Sequence, residues 1–118
     1  GSTSNTFRFH PTSQDGMHAI ADMWKDSVLQ DKHALTIVDG LTGAFDVGPG
    51  YDPAFHWKAN RLFLSRDPVA LDAIALAEIN NQRDRPVTKQ TTYIRRAASL
   101  SIGTSDEDEI EHETIEVN

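Results

Sequence analysis

The chain has 118 residues, of which 38% are hydrophobic and 25% are charged. This composition fits one globular domain and excludes a wholly disordered or collagen-like chain. The formal net charge is −7, whereas a general binder of nucleic acids or anionic membranes carries a positive charge. No apolar run approaches the roughly 20 residues of a membrane span. The chain has no cysteine, which excludes disulfides, thiolate zinc sites and cysteine-ligated iron–sulfur clusters within it.

The first residues indicate where the chain comes from. Gly1 and Ser2, with no initiating methionine, are typical of a tag-cleavage scar, so we expect this chain to be part of a larger protein. Residues 1–12 are interpreted as a tag remnant and flexible lead-in, and residues 13–118 as a single domain.

Apolar residues at helical spacing predict an amphipathic helix over residues 13–30, with Trp24 in the core. A β-branched run over residues 34–40 predicts a strand that ends at Asp39 and Gly40 and is covered on both faces. Residues 41–60 then form a loop that is rich in glycine, proline and aromatic residues. A loop of this length inside a compact domain is usually functional or disordered, and its aromatic residues favour an ordered functional loop.

The second half of the chain contains the strongest local signals. Residues 61–65 predict a strand, and Asp67 followed by Pro68 predicts the start of a helix that runs to about residue 82. This helix is apolar almost all round, so it should be the most buried one. A polar connector over residues 80–88 precedes a third helix, which Thr91 or Thr92 would cap and Gly103 would close, and residues 113–117 alternate like a final strand.

Together these elements predict an α/β fold, a small three-stranded sheet covered by about three helices. Three strands make a thin sheet. We therefore expect partners for it, either other domains of the parent protein or a second copy of the chain.

Several motifs occur together in this chain: a strand ending Val38-Asp39-Gly40, the turn Gly48-Pro49-Gly50, the run from Leu64 to Asp72 (Leu-Ser-Arg-Asp-Pro-Val-Ala-Leu-Asp), and the stretches 94–103 and 115–117. This combination resembles the C-terminal part of a bacterial and archaeal family, the one called domain of unknown function 362. The resemblance covers most of residues 18–117. Members are often attached to ferredoxin-like iron–sulfur modules, so the resemblance implies a redox-linked parent protein whose cluster would lie outside this chain. The family has no settled activity.

The candidate ligand-binding residues lie at the first strand end, in the long loop and at the start of the apolar helix: Asp39, Gly40, Gly48, Gly50, His56, Asp67 and Asp72. Open α/β sheets bind ligands at strand ends, and a glycine-rich turn can offer backbone N–H groups to an anion. Mg²⁺ held by the three aspartates is chemically reasonable, although their spacing does not demand it. The hypothesis requires the loop to fold over the start of the helix, which gathers these side chains into one hollow.

Each of these residues also has a structural interpretation. Asp39 can accept N–H groups of its own turn, Asp67 can be a helix N-cap, and His56 can be a solvent-facing loop residue. Asp72 has three possible roles. It can be a structural clamp paired with Arg66, Arg61, Lys58 or a loop N–H group, it can be a functional ligand, or it can lie on a solvent-exposed stripe of the helix.

The sequence therefore supports two functions and assigns no reaction. One is a ligand- or metal-binding portion of a larger redox-linked protein. The alternative is a non-catalytic partner domain in which the aspartates only pin the long loop. The sequence identifies no cofactor, substrate or cellular compartment.

Overall fold

A computed structural model of the chain describes residues 14–47, 50–88 and 91–117. Four helices and four strands follow one another along the chain: α1 Gln14–Trp24, α2 Ser27–Lys32, β1 Thr36–Gly40, β2 Gly43–Ala44, β3 His56–Trp57, β4 Arg61–Ser65, α3 Pro68–Asn80 and α4 Thr92–Ser99. The mixture of helices and strands confirms the predicted α/β class. The predicted lead-in over residues 1–12 lies outside the described residues.

Two helices occupy the region where the sequence predicts one. The helix breaks at Lys25 and Asp26, and the Asp26 carboxylate accepts a hydrogen bond from the Val28 N–H at 2.8 Å, which starts α2. An N-cap aspartate satisfies one of the free N–H groups at a helix start and so favours a new helix at that point. Trp24 is half-buried and packs edge-on against the His33 ring, with ring centroids 5.1 Å apart.

In the ranges that the structure describes, the main sheet consists of β1 and β4 only. They pair antiparallel, with Ile37 opposite Leu64 and Asp39 opposite Leu62. The inner face, which carries Val38 and Phe63, lies on the α3 side. The prediction that both faces are covered is wrong within the described part of the chain. Five aliphatic side chains alternate to the other face and are exposed, and we call them the outer sheet face: Leu35, Ile37, Leu41, Leu62 and Leu64.

The long loop between β1 and β4 contains a small hairpin of its own. Strands β2 and β3 pair antiparallel, and the Phe45 N–H donates to the Phe55 carbonyl at 3.0 Å. Phe45 also packs against the Phe55 and Trp57 rings, with centroids 5.9 and 6.2 Å away. These contacts explain how a segment without long-range periodicity is ordered, as its aromatic residues predict.

The core lies where α3 meets α1 and α4. Its buried members come from all three helices: Ala21, Val69, Ala73, Ile94 and Ala97. Helix α3 supplies the most buried residues of any described element, as its nearly uniform apolar sequence predicts.

The chain after α3 differs from the prediction at three points. Thr91 precedes α4 but makes no side-chain capping bond. Gly103 lies four residues beyond the end of α4 at Ser99, so it does not close that helix. Residues 113–117 form no strand and are exposed, because they find no partner strand among the described residues. The described residues therefore form two two-stranded antiparallel sheets, whereas the sequence predicts one three-stranded sheet. No helix in the described ranges is long and apolar enough to cross a membrane.

Candidate functional site

Asp67 secures the start of α3. Its Oδ1 accepts hydrogen bonds from the N–H groups of Val69 at 2.8 Å and Ala70 at 2.9 Å, and its own N–H donates to the Ser65 hydroxyl at 3.0 Å. Pro68 occupies the first helical position, where its missing N–H costs nothing. Asp67 is therefore the N-cap of α3, which confirms the prediction from the sequence.

The same carboxylate also ties down the chain that follows α4. Its Oδ2 accepts the Thr104 N–H at 2.9 Å, 37 residues away in sequence. Gly103 makes this approach feasible, since a Cβ there would lie 2.0 Å from the Asp67 Oδ1 atom. This contact could not be predicted from the sequence, because no local pattern links the two positions.

Asp72 faces a small apolar cavity between α1, α3 and α4. The Tyr93 hydroxyl donates a hydrogen bond to the Asp72 carboxylate. Burial raises the pKa of Asp72, and this hydrogen bond lowers it in part. Burial, followed by the neighbouring Asp72 charge, raises the pKa of Tyr93. The cavity is about 40 Å³, room for a water molecule but not for a substrate.

The partner of Asp72 is therefore Tyr93, from α4. The partners predicted for it from the sequence are Arg66, Arg61, Lys58 or a loop N–H group, so that prediction is wrong. Arg61 forms an ion pair with Glu78 on α3. A tyrosine 21 residues downstream can be found only once the packing of α3 against α4 is known.

Asp39 and Gly40 lie at the other end of the sheet from Asp67. The Asp39 carboxylate is exposed and accepts the Leu41 N–H at 2.9 Å, which is the turn contact expected of an aspartate followed by glycine. Gly40 faces the inner side, where a Cβ would lie 2.9 Å from the Phe63 ring and 3.0 Å from the Arg61 carbonyl oxygen. Both residues have a local structural explanation.

The loop candidates are similarly placed by local contacts. His56 is half-buried; its Nδ1 lies 2.6 Å from the Asp52 carbonyl oxygen, and its ring is 4.4 Å from that of Tyr51. Gly50 is exposed, with open space around its Cα. Gly48 lies outside the described residues.

The described part of the loop contacts the segment that follows α3. Arg83, which follows α3, donates to the Phe45 carbonyl and lies 3.4 Å from the Asp46 carboxylate. Antiparallel pairing with β4 also carries the end of β1 toward Arg61, away from Ser65 and the helix start. The expectation of one hollow that gathers Asp39, Asp67 and Asp72 is therefore wrong. Asp67 and Asp72 share the first half of α3, whereas Asp39 lies elsewhere.

Cation-binding geometry is not found in the described ranges. They hold no group of three or more histidine, aspartate or glutamate side chains that could coordinate a metal ion. Mg²⁺ and Ca²⁺ prefer several oxygen ligands around one point, and the separation of the three predicted aspartates does not provide that.

A larger cleft lies between the hairpin and the segment after α3. It has a volume of about 330 Å³ and is lined by Phe45, Asp46, Phe55, Gln82, Arg83, Asp84 and Arg85. This volume lies at the lower end of the range for small-molecule sites. The sequence analysis missed this cleft, because its walls come from two segments that are distant in sequence.

The fold and these sites define a small α/β domain in which Asp39 and Asp67 accept hydrogen bonds from the domain's own backbone. Residues 2–77 match the family model described as Domain of unknown function (DUF362), and the chain belongs to that family. The matched region includes the motif from Leu64 to Asp72 that carries the resemblance noted above, and it ends within α3. No curated protein and no solved structure matches the chain.

Proposed function

We propose that this chain is a non-catalytic partner domain: its acidic residues stabilise its own fold, and its role is to bind another protein surface. The observation that carries the proposal is the set of hydrogen bonds that the predicted site residues make within the chain. Asp39 and Asp67 accept hydrogen bonds from backbone N–H groups of other residues in the chain, and Asp72 accepts a tyrosine hydroxyl. Carboxylates engaged in this way are not poised around a common ligand.

The outer sheet face supports the same proposal. The solvated face of an antiparallel sheet normally carries polar residues, but here Leu35, Ile37, Leu41, Leu62 and Leu64 are all exposed. Contiguous exposed apolar surface on a soluble domain is typical of a protein-binding surface. A partner domain of a larger redox-linked protein would use such a face to join its neighbour.

A ligand-binding role is the second candidate, and the cleft beside Arg83 is the observation that favours it. Its lining combines two phenylalanine rings with two arginine and two aspartate side chains, which suits a small ligand that is apolar in one part and polar in another. This site would be separate from the three aspartates. A metal-binding role has no comparable support.

A cation screen by thermal shift tests the leading proposal. Binding at a concentration 100 times the dissociation constant stabilises a protein by about 2.7 kcal/mol, which would raise the melting temperature measurably. We expect Mg²⁺, Mn²⁺ and Zn²⁺ to leave the melting temperature of the chain unchanged, and D39N to respond as the unaltered chain does. A cation-dependent increase that D39N and D72N both abolish would contradict the proposal and restore a shared site.

A further inference from the structure

The outer sheet face has a regular arrangement of charge as well as apolar surface. Along β1, the face carries Leu35, Ile37, Asp39 and Leu41 at every second position. The register places Ile37 opposite Leu64 and Asp39 opposite Leu62, and continuing it by one pair places Leu35 opposite Arg66. Asp39 and Arg66 are both exposed, so an aliphatic centre lies between an acidic and a basic side chain.

This face belongs to a sheet that is incomplete by itself. In the part of the chain that the structure describes, β1 and β4 pair only with each other, and Ile37 at the centre of the face is 61% exposed. Two-stranded sheets gain stability from packing, and a second apolar layer facing a sheet at about 10 Å is the common solution.

We propose that the outer sheet face binds a second copy of this chain, forming a two-fold dimer in which two sheets pack face to face. This inference rests on the proposed partner-domain function and names the partner. The two-fold axis passes beside the Ile37–Leu64 pair, so the aliphatic side chains of each copy cover those of the other. A two-fold interface requires a self-complementary surface, and the charges on this face meet that requirement.

The positions of Asp39 and Arg66 select the orientation of the two copies. They lie four residues apart along the strands, about 14 Å. When β1 of one copy runs antiparallel to β1 of the other, Asp39 of each copy lies at the level of Arg66 of the other. When they run parallel, the two aspartates lie at one level and the two arginines at another. Opposite charges therefore favour the antiparallel arrangement, and like charges oppose the parallel one.

Sedimentation equilibrium of the whole chain, from micromolar to millimolar concentration, tests the proposal. We expect the mass to rise with concentration from 13.1 kDa toward twice that value. I37K should abolish association, because it places a charge at the centre of the interface. V28K is the matched control: Val28 is also β-branched and is 58% exposed, but it lies on α2, so V28K should associate like the unaltered chain.

A charge exchange tests the orientation. D39R and R66D should each weaken dimerisation at least fivefold, since each places like charges together twice. The double variant D39R/R66D should recover most of that loss, a result that damage to the fold cannot produce. Melting temperatures measured on every variant separate unfolding from loss of association.

Three results would overturn the proposal. One is a mass of 13.1 kDa at every concentration, another is a dimer that I37K leaves intact, and the third is a dimer that forms only after residues 1–13 are removed, which would make that segment the occupant of the face. If the chain stays monomeric but I37K, and not V28K, weakens its binding to the neighbouring domains of the parent protein, this inference fails and the partner-domain function stands. If I37K affects neither, both fail.

Discussion

At the scale of single residues, Asp67 shows most clearly how a carboxylate can organise this fold. It accepts three backbone N–H groups, two at the start of α3 and one from Thr104. Such charge-assisted bonds are stronger than those between neutral groups. Asp67 therefore fixes both the direction in which α3 leaves the sheet and the position of the segment after α4.

The contact between Asp67 and Gly103 gives a coupled prediction. D67A should lower the free energy of unfolding by about 2 kcal/mol, through the lost cap and the unsatisfied Thr104 N–H. G103A should cost roughly 1–3 kcal/mol, because its methyl group would meet a carboxylate held in place on both sides. In the D67A background, G103A should cost much less. Urea unfolding of the four proteins measures the coupling, and simple additivity would show that the contact is unimportant.

Asp72 gives a prediction about pH. The pKa of Asp72 is raised in the folded state, so folding favours the protonated form. The favourable effect is fully present below the unfolded carboxyl pKa of about 3.9 and is lost as the pH rises through the higher folded pKa. D72N removes this charge and keeps an acceptor for the Tyr93 hydroxyl. We expect D72N to gain stability relative to the unaltered chain as the pH rises from about 3 to 7.

Tyr93 provides the control for that experiment. Y93F leaves the Asp72 carboxylate without its hydroxyl donor, so it should lower the free energy of unfolding at neutral pH by about 1–3 kcal/mol. In the D72N background the loss should be smaller. If D72N is strongly destabilising at pH 7, the charge of Asp72 serves a purpose that the Tyr93 contact does not explain.

At the scale of elements, the hairpin of β2 and β3 depends on a side chain from outside it. Arg83 donates to the Phe45 carbonyl and lies beside Asp46. We expect R83M to speed amide hydrogen exchange at Phe45, which bonds to the Phe55 carbonyl, and to leave exchange within β1 and β4 unchanged. R96M is the matched control, because it breaks an exposed pair with Asp22 and should affect neither. Equal exchange at Phe45 in both variants would contradict this role for Arg83.

The elements that the sequence predicts best are those with both a local signal and a buried face. Strand β4 has the predicted bounds, and α3 begins at Pro68 after its Asp67 cap as expected. The predictions fail where the outcome depends on partners distant in sequence. The alternation of residues 113–117 resembles a strand, but a strand also needs a neighbour to accept its hydrogen bonds. The sequence does contain a signal for the break at Asp26, because aspartate is a preferred N-cap residue and favours the start of a second helix there.

At the scale of the whole molecule, the local contacts of Asp39 and Asp67 could be predicted from the sequence, but the arrangement of the candidate residues in space could not. The types of contact at Asp39 and Asp67 follow from their local sequence. Their separation follows from the antiparallel register of β1 and β4, which places the end of β1 at the start of β4. No local pattern determines whether two strands joined by a long loop pair in this way. The same register produces the outer sheet face, which the expectation of a fully covered sheet did not anticipate.

We propose that Asp39, Asp67 and Asp72 serve the fold at separate places and do not share a ligand. Line broadening by Mn²⁺ in amide NMR spectra tests it directly, because a bound paramagnetic ion affects every nearby amide. We predict that stoichiometric Mn²⁺ leaves the amides bonded to Asp39 and Asp67, which are those of Leu41, Val69 and Thr104, and the amide of Asp72 itself as sharp as that of Phe45. Simultaneous broadening at all three aspartates, abolished by D72N, would contradict the account.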